Sequence, residues 1–169
     1  MSTATFQPLS IARVKEIGAD STFRNCVKAY LMARAYAEVE RERVDAYLKP
    51  LFELYTFTVD PKHKRCGEPG EPITDMKDIW LATDEQCAVW YEECDKEHRK
   101  HGFKGPKNHC PAAIAEHLRI IAENNLLEYT MPLFVDGADG QVHGELRKKA
   151  LDLFCGLAIQ SAGPDYFRV

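Results

Sequence analysis

The chain has 169 residues, 45% of them hydrophobic and 28% charged, with a formal net charge of −4. These are ordinary values for a globular chain long enough to bury a core, and they argue against disorder. The acidic balance argues against a general coat for nucleic acid, and no run approaches the ~20 apolar residues that a membrane span needs.

The opening "MSTATFQPLSIARVKE" lacks a basic start followed by an apolar core, so no secretory signal is expected and the chain reads as cytoplasmic. Six cysteines, at 26, 66, 87, 94, 110 and 155, include no C-x-x-C pair. Without a signal segment they are expected to be reduced, most of them as small core residues.

In chain order, "STFRNCVKAYLMARAYAEVERERVDAYLKPLFELYTF" predicts helix from Ser21, with Ser21 or Thr22 as cap. Val27, Leu31 and Ala35 recur at helical spacing, as do Val44, Leu48, Leu51 and Tyr55. Pro50 predicts a kink or a break between two helices. Residues 58–78 are rich in proline and glycine and predict a long connection. Pieces around "YTFTV" and "DIWLAT" would pair as a small β-hairpin. Thr83 or Asp84 caps a helix to about His101, the "GFKGPKN" loop follows, and Pro111 opens the next helix as its first residue. "FVDGADGQ" predicts a turn, and "GELRKKALDLFCGLAIQ" a last helix. The expectation is one mostly α domain over residues 1–169, an irregular bundle of four or five helices. Leu118, Ile121, Leu153, Phe154 and Leu157 are expected in its core.

One stretch, "YEECDKEHRKHGFKGPKNHCP" at 91–111, gathers two cysteines and three histidines. On a helical wheel Cys87, Trp90, Tyr91, Cys94, His98 and His101 share one side. Cys94, His98 and His101 follow i, i+4, i+7, a spacing that stacks side chains on one face. If the flanking helices form an antiparallel hairpin, Cys110 returns near His98 and His101. Such a set would suit tetrahedral zinc, and four protein ligands would make the site structural. His109 would substitute for one of the four, and a set of only three would open a catalytic position. However, the spacing C-x3-H-x2-H-x8-C matches no standard zinc finger, and histidine on a buried stripe is ordinarily packed core. The expectation is therefore packed imidazoles with no tightly bound metal, zinc being the ion the set would take.

The loop 96–107 carries Lys96, Arg99, Lys100, Lys104 and Lys107, and Lys62, Lys64 and Arg65 form a second short basic cluster. Arg99, Lys100, Lys104 and Lys107 are the candidates for contact with an anion or nucleic acid, and Phe103 for stacking on a base. There is no phosphate-binding loop and no recognition-helix motif. Charge runs of this kind are ordinarily solvated surface.

For catalysis, the run Glu38–Asp45 resembles the carboxylate-rich helices of all-α nucleotide pyrophosphatases, which hold magnesium. It has Glu42-x-x-Asp45 but lacks the paired Glu-x-x-Glu helix before it. No H-E-x-x-H or G-x-S-x-G is present, and "DGADG" lacks the remaining ligands of a calcium loop. No residue is assigned a catalytic role.

The segments "GEPITD", "YEECDKEHRKHGF", "HCPAAIAEHLRIIAENNLLE" and "KKALDLFCGL", within about 69–157, resemble small uncharacterised accessory proteins of tailed phages and prophages. The resemblance implies a protein of the host cytoplasm and carries no site residues over. The reading is a non-enzymatic accessory or interaction protein, with a protein partner or a homodimer and no membrane. The alternatives are a nucleic-acid-associated protein using loop 96–107 and a metal-dependent hydrolase.

Overall fold

The computed structural model of the protein describes residues 10–134 and 144–162, with side-chain surroundings for 10–133 and 147–159. The chain is mostly α. Its α-helices are α1 (Ile11–Ala19), α2 (Ser21–Phe52), α3 (Asp84–Lys100), α4 (Pro111–Phe134) and α5 (Gly144–Ala162), with 3-10 turns at Pro61–His63 and Met76–Leu81. No helix among the described residues is long and apolar enough to cross a membrane. The "FVDGADGQ" turn lies almost wholly outside the described residues.

Helix begins before the expected start at Ser21: α1 ends at Ala19, and a single residue joins it to α2. The Asp20 N–H closes α1 on the Ile17 carbonyl at 3.1 Å, and its Oδ1 accepts the Phe23 N–H at 2.9 Å to open α2. Asp20, rather than Ser21 or Thr22, is therefore the cap. Its Oδ2 also accepts the Tyr129 hydroxyl at 2.9 Å. The Phe23 amide first, and Tyr129 second, hold this carboxyl below its usual range.

Pro50 neither kinks α2 midway nor splits it, because it falls in the last turn and the helix ends at Phe52. A proline there removes one backbone bond at a point where the ladder is already finishing. Pro132 takes the same place near the end of α4. Thr83 and Pro111 act as expected: the Thr83 side chain accepts the Gln86 N–H at 3.2 Å, and Pro111 is the first residue of α4.

The expected β-hairpin does not form. Phe57 to Asp60 divide their backbone bonds between two segments: the Phe57 carbonyl accepts from Ile73, while Val59 donates to Glu71 and Asp60 to Leu81. Only the isolated antiparallel bridges Thr58–Pro72 and Val59–Ala82 result. Asp75 caps the 3-10 turn that takes up most of "DIWLAT", its Oδ1 accepting the Lys77 N–H at 3.0 Å.

The chain divides into two compact units, one holding the chain up to Ala37 and from Glu116, the other Glu38–Ala115. In the first, Phe23, Val27 and Tyr30 pack with Leu126, Leu127 and Met131 and with Ala150, Leu151 and Phe154. Phe23 meets Phe154 edge to face at 6.4 Å. Of the five residues expected in the core, Phe154 is fully buried and Leu157 partly, but Leu118 and Ile121 are 48% and 43% exposed and Leu153 39%. Polar and apolar residues are mixed on every side of α4, with Glu116, Arg119, Asn124, Asn125 and Glu128 spread around it, so periodicity cannot choose its inner side. A polar group does so: the Glu123 carboxylate is buried between the guanidiniums of Arg119 and Arg147.

In the second unit, Val44, Leu48 and Phe52 of α2 pack on Trp90 and Cys94 of α3 and on Phe57, Val59, Ile73, Ile79 and Leu81 of the connection. The connection is thus pinned by its apolar residues. The Trp90 ring lies edge-on to both Phe52 and Phe57, at 5.6 and 5.8 Å.

Candidate functional site

Within the second unit, the end of α3 is shaped by its cap. Gly102 has φ 88, a backbone conformation that costs glycine little. It lets the Gly102 N–H reach the Arg99 carbonyl and the Phe103 N–H reach the His98 carbonyl, at 3.1 and 3.0 Å. This is a Schellman cap, in which the residue after the glycine packs against the residue five before it. Here those residues are Phe103 and His98, with ring centroids 6.2 Å apart. The cap therefore turns His98 inward, where it is 3% exposed.

His98 finds its polar partner on α2. Tyr47 Oη lies 2.7 Å from His98 Nδ1. Burial pushes the Tyr47 phenol up to about 12, and burial also lowers the His98 imidazole below its ordinary value, with Asp95 opposing and Arg43 and Arg99 reinforcing. Both groups are neutral near pH 7. The phenol is the better donor, so Nδ1 accepts and the ring proton resides on Nε2. The other face of Tyr47 is covered by His101, whose ring stacks on it at 4.1 Å and 7°.

Cys94 is buried beside this group, and Cys110, half-buried, packs against the same cluster. Burial first, and the neighbouring Cys110 second, push the Cys94 thiol up to about 12. It is held as a thiol, a poor nucleophile and a poor metal ligand. The four candidate ligands thus gather around Tyr47 in different settings. Cys94 and His98 are buried, Cys110 is half-buried, and His101 is exposed, stacked on the phenol with Glu97 at 3.9 Å. Among the described residues, no three His, Cys, Asp or Glu side chains are placed to hold a metal ion. The sequence gives no sign of Tyr47, which lies 51 residues before His98 on another helix.

The basic loop is largely neutralised. Lys96 pairs with Glu93 at 2.8 Å, Lys100 with Glu97 at 2.7 Å and Lys107 with Glu92 at 3.1 Å. Arg99 reaches Asp95 Oδ1 at 3.4 Å and the Phe103 carbonyl at 3.3 Å. Lys104 is exposed. Three of the acidic partners precede residue 96, so a charge count over 96–107 misses them. Phe103 is also engaged: Arg99 lies over its ring at 5.4 Å, and a side chain at Gly105 would collide with it. The buried Asp95 ties down the loop's far side by accepting the Asn108 N–H at 3.3 Å.

The chemistry of the site is that of a packed clasp between α2 and α3, with Tyr47, His98 and Cys94 held neutral by burial. In comparison with known proteins, the chain matches no family model, no curated protein and no solved structure.

Proposed function

We propose that this chain is a non-enzymatic accessory protein of the cytoplasm that works by binding another protein chain, in the phage context its sequence resemblance implies. The observation that carries this is a second apolar stripe on α2, on the side turned away from its core residues. Met32 and Tyr36 are each 51% exposed there and Val39 is 60% exposed, with Ala29 and Ala35 exposed between and beside them. Single exposed apolar residues are common, but a contiguous row of large ones on one helix marks a surface that other proteins cover. The neutral Tyr47–His98–Cys94 cluster and the paired lysines of loop 96–107 support binding over catalysis or nucleic-acid contact.

The test is a photo-crosslinking amino acid placed at position 36 in producing cells. A discrete protein adduct, lost on Val39→Glu, is expected. No protein adduct, together with retention on DNA or RNA at physiological salt or magnesium-dependent turnover of nucleotides, would replace this reading with one of its rivals.

A further inference from the structure

In the second unit Trp80 is 51% exposed, although Ile79 and Leu81 on either side of it are buried. Tryptophan is highly buried on average, so an indole held in water between two buried neighbours asks for a cause. The fold fixes it there. The Asp60 N–H donates to the Leu81 carbonyl at 2.8 Å, Val59 bridges Ala82, and Lys62 Nζ reaches Asp84 Oδ1 at 2.6 Å. These ties bring the 3-10 turn at Pro61–His63 against the one at Met76–Leu81. The His63 ring consequently stands across the indole, at 5.4 Å and 78°. Lys64 and Arg65 follow directly, both exposed, and neither pairs with an acid among the described residues. Lys62, Lys96, Lys100 and Lys107, by contrast, each answer a carboxylate. Two unpaired cations therefore adjoin an aromatic corner that the backbone holds in place.

We propose that this corner binds a short acidic segment of another protein, its carboxylate taken by Arg65 and Lys64 and an adjacent proline or aromatic ring laid on Trp80. The chemistry of the two parts selects this occupant. Arginine offers a carboxylate a forked pair of donors, and an indole receives flat apolar rings. Tryptophan and arginine are also the side chains that carry much of the binding energy in protein interfaces. A single strand of nucleic acid could use the same groups, but it brings an unbroken row of phosphates. Residues 58–85 hold seven Asp and Glu against four Lys and Arg, a balance of −3. A polyanion running past the corner would meet that excess, whereas one or two carboxylates set against Lys64 and Arg65 avoid it. Because the two turns are already tied together, little ordering is required on binding. The corner shares no residue with the exposed stripe of α2, so either surface can fail without the other.

The test selects short random peptides, displayed on yeast, on the purified full chain, and discards clones that also bind Trp80→Ala. The survivors should be enriched in Asp or Glu beside Pro, Tyr, Phe or Trp. The tightest of them, made synthetically, should bind about tenfold or more weakly to Arg65→Glu, and more weakly to wild type as salt is raised. Trp90 is buried, so a shift of tryptophan emission on binding reports Trp80. Repeating the selection on the Lys64→Glu, Arg65→Glu double variant should turn the enrichment from acidic to basic peptides. Circular dichroism and the urea midpoint confirm that each variant folds, and Trp80→Gln serves where Trp80→Ala does not. Polyuridylate is the single-stranded probe, and at physiological salt wild type should retain it no better than Arg65→Glu does. Survivors without acidic enrichment, a selection that yields none, or a bound peptide that leaves the emission unmoved overturns the proposal. Retention of polyuridylate that is lost with Arg65→Glu also overturns it and assigns the corner to nucleic acid. If the selection fails while position 36 still cross-links to a protein, this corner falls and the protein-binding reading stands.

Discussion

Removing a single oxygen atom, with Tyr47→Phe, should loosen the attachment of α3 to α2 by a predictable amount. Phenylalanine keeps the ring that His101 stacks on at 4.1 Å, so the packing contact survives. What disappears is the donor 2.7 Å from His98 Nδ1, on an imidazole that is 3% exposed. A buried acceptor left without its donor costs about 1–3 kcal/mol, more than the net worth of an average hydrogen bond, because water cannot replace the lost partner. In urea titration the midpoint should fall with the slope unchanged, as befits a change in stability without a change in exposed surface. The same substitution made in a His98→Leu background should cost nearly nothing further, since the acceptor is already gone. A double-mutant cycle therefore isolates the pair from the rest of the clasp. Nitrogen-15 chemical shifts of His98 should report the Nε2–H tautomer in the wild type. A Tyr47→Phe variant within about 0.3 kcal/mol of wild type, or two substitutions whose costs simply add, would refute the reasoning.

Burial holds the folded His98 below its ordinary value, so the unfolded chain takes up a proton first as pH falls below about 6.5. Stability should be level in pH above that point and decline below it, by up to about 1.4 kcal/mol per pH unit from this group, and His98→Leu should remove that share of the slope. Phe154→Ala should cost about 3–5 kcal/mol in denaturant unfolding, whereas Leu153→Ala, one residue away and 39% exposed, should cost far less. The Thr130 hydroxyl is fully buried without a hydrogen-bond partner among the described residues, so Thr130→Val should raise the unfolding midpoint, by about 1–3 kcal/mol of stability. Reversing Lys100, Lys104 and Lys107 to Glu should leave nucleic-acid retention at physiological salt as low as in wild type, measured by filter binding, because Lys100 and Lys107 already answer Glu97 and Glu92.

The sequence by itself determined what depends on neighbours along the chain. A cap of α3 at Thr83 or Asp84, Pro111 as the first residue of α4, the lapse of pattern over 58–78 and the helical class all follow from local chemistry. Each rests on a backbone donor or a fixed torsion within about one helical turn, and such interactions are written in the spacing of residues. Tertiary structure decided the rest. Helix α1 was hidden because Asp20 ends one helix and begins the next, secured by Tyr129 from 109 residues away. Which side of α4 faces inward could not be read from a helix whose polar and apolar residues are mixed on every side; the Glu123–Arg147 pair accompanies the side that does. The Cys and His face of α3 was legible as a face, but its chemistry was not. Tyr47 on α2 satisfies His98, and burial holds Cys94 as a thiol. A wheel drawn on one helix shows which residues travel together. What they meet, and in which protonation state, is set by a partner that arrives only when distant segments pack.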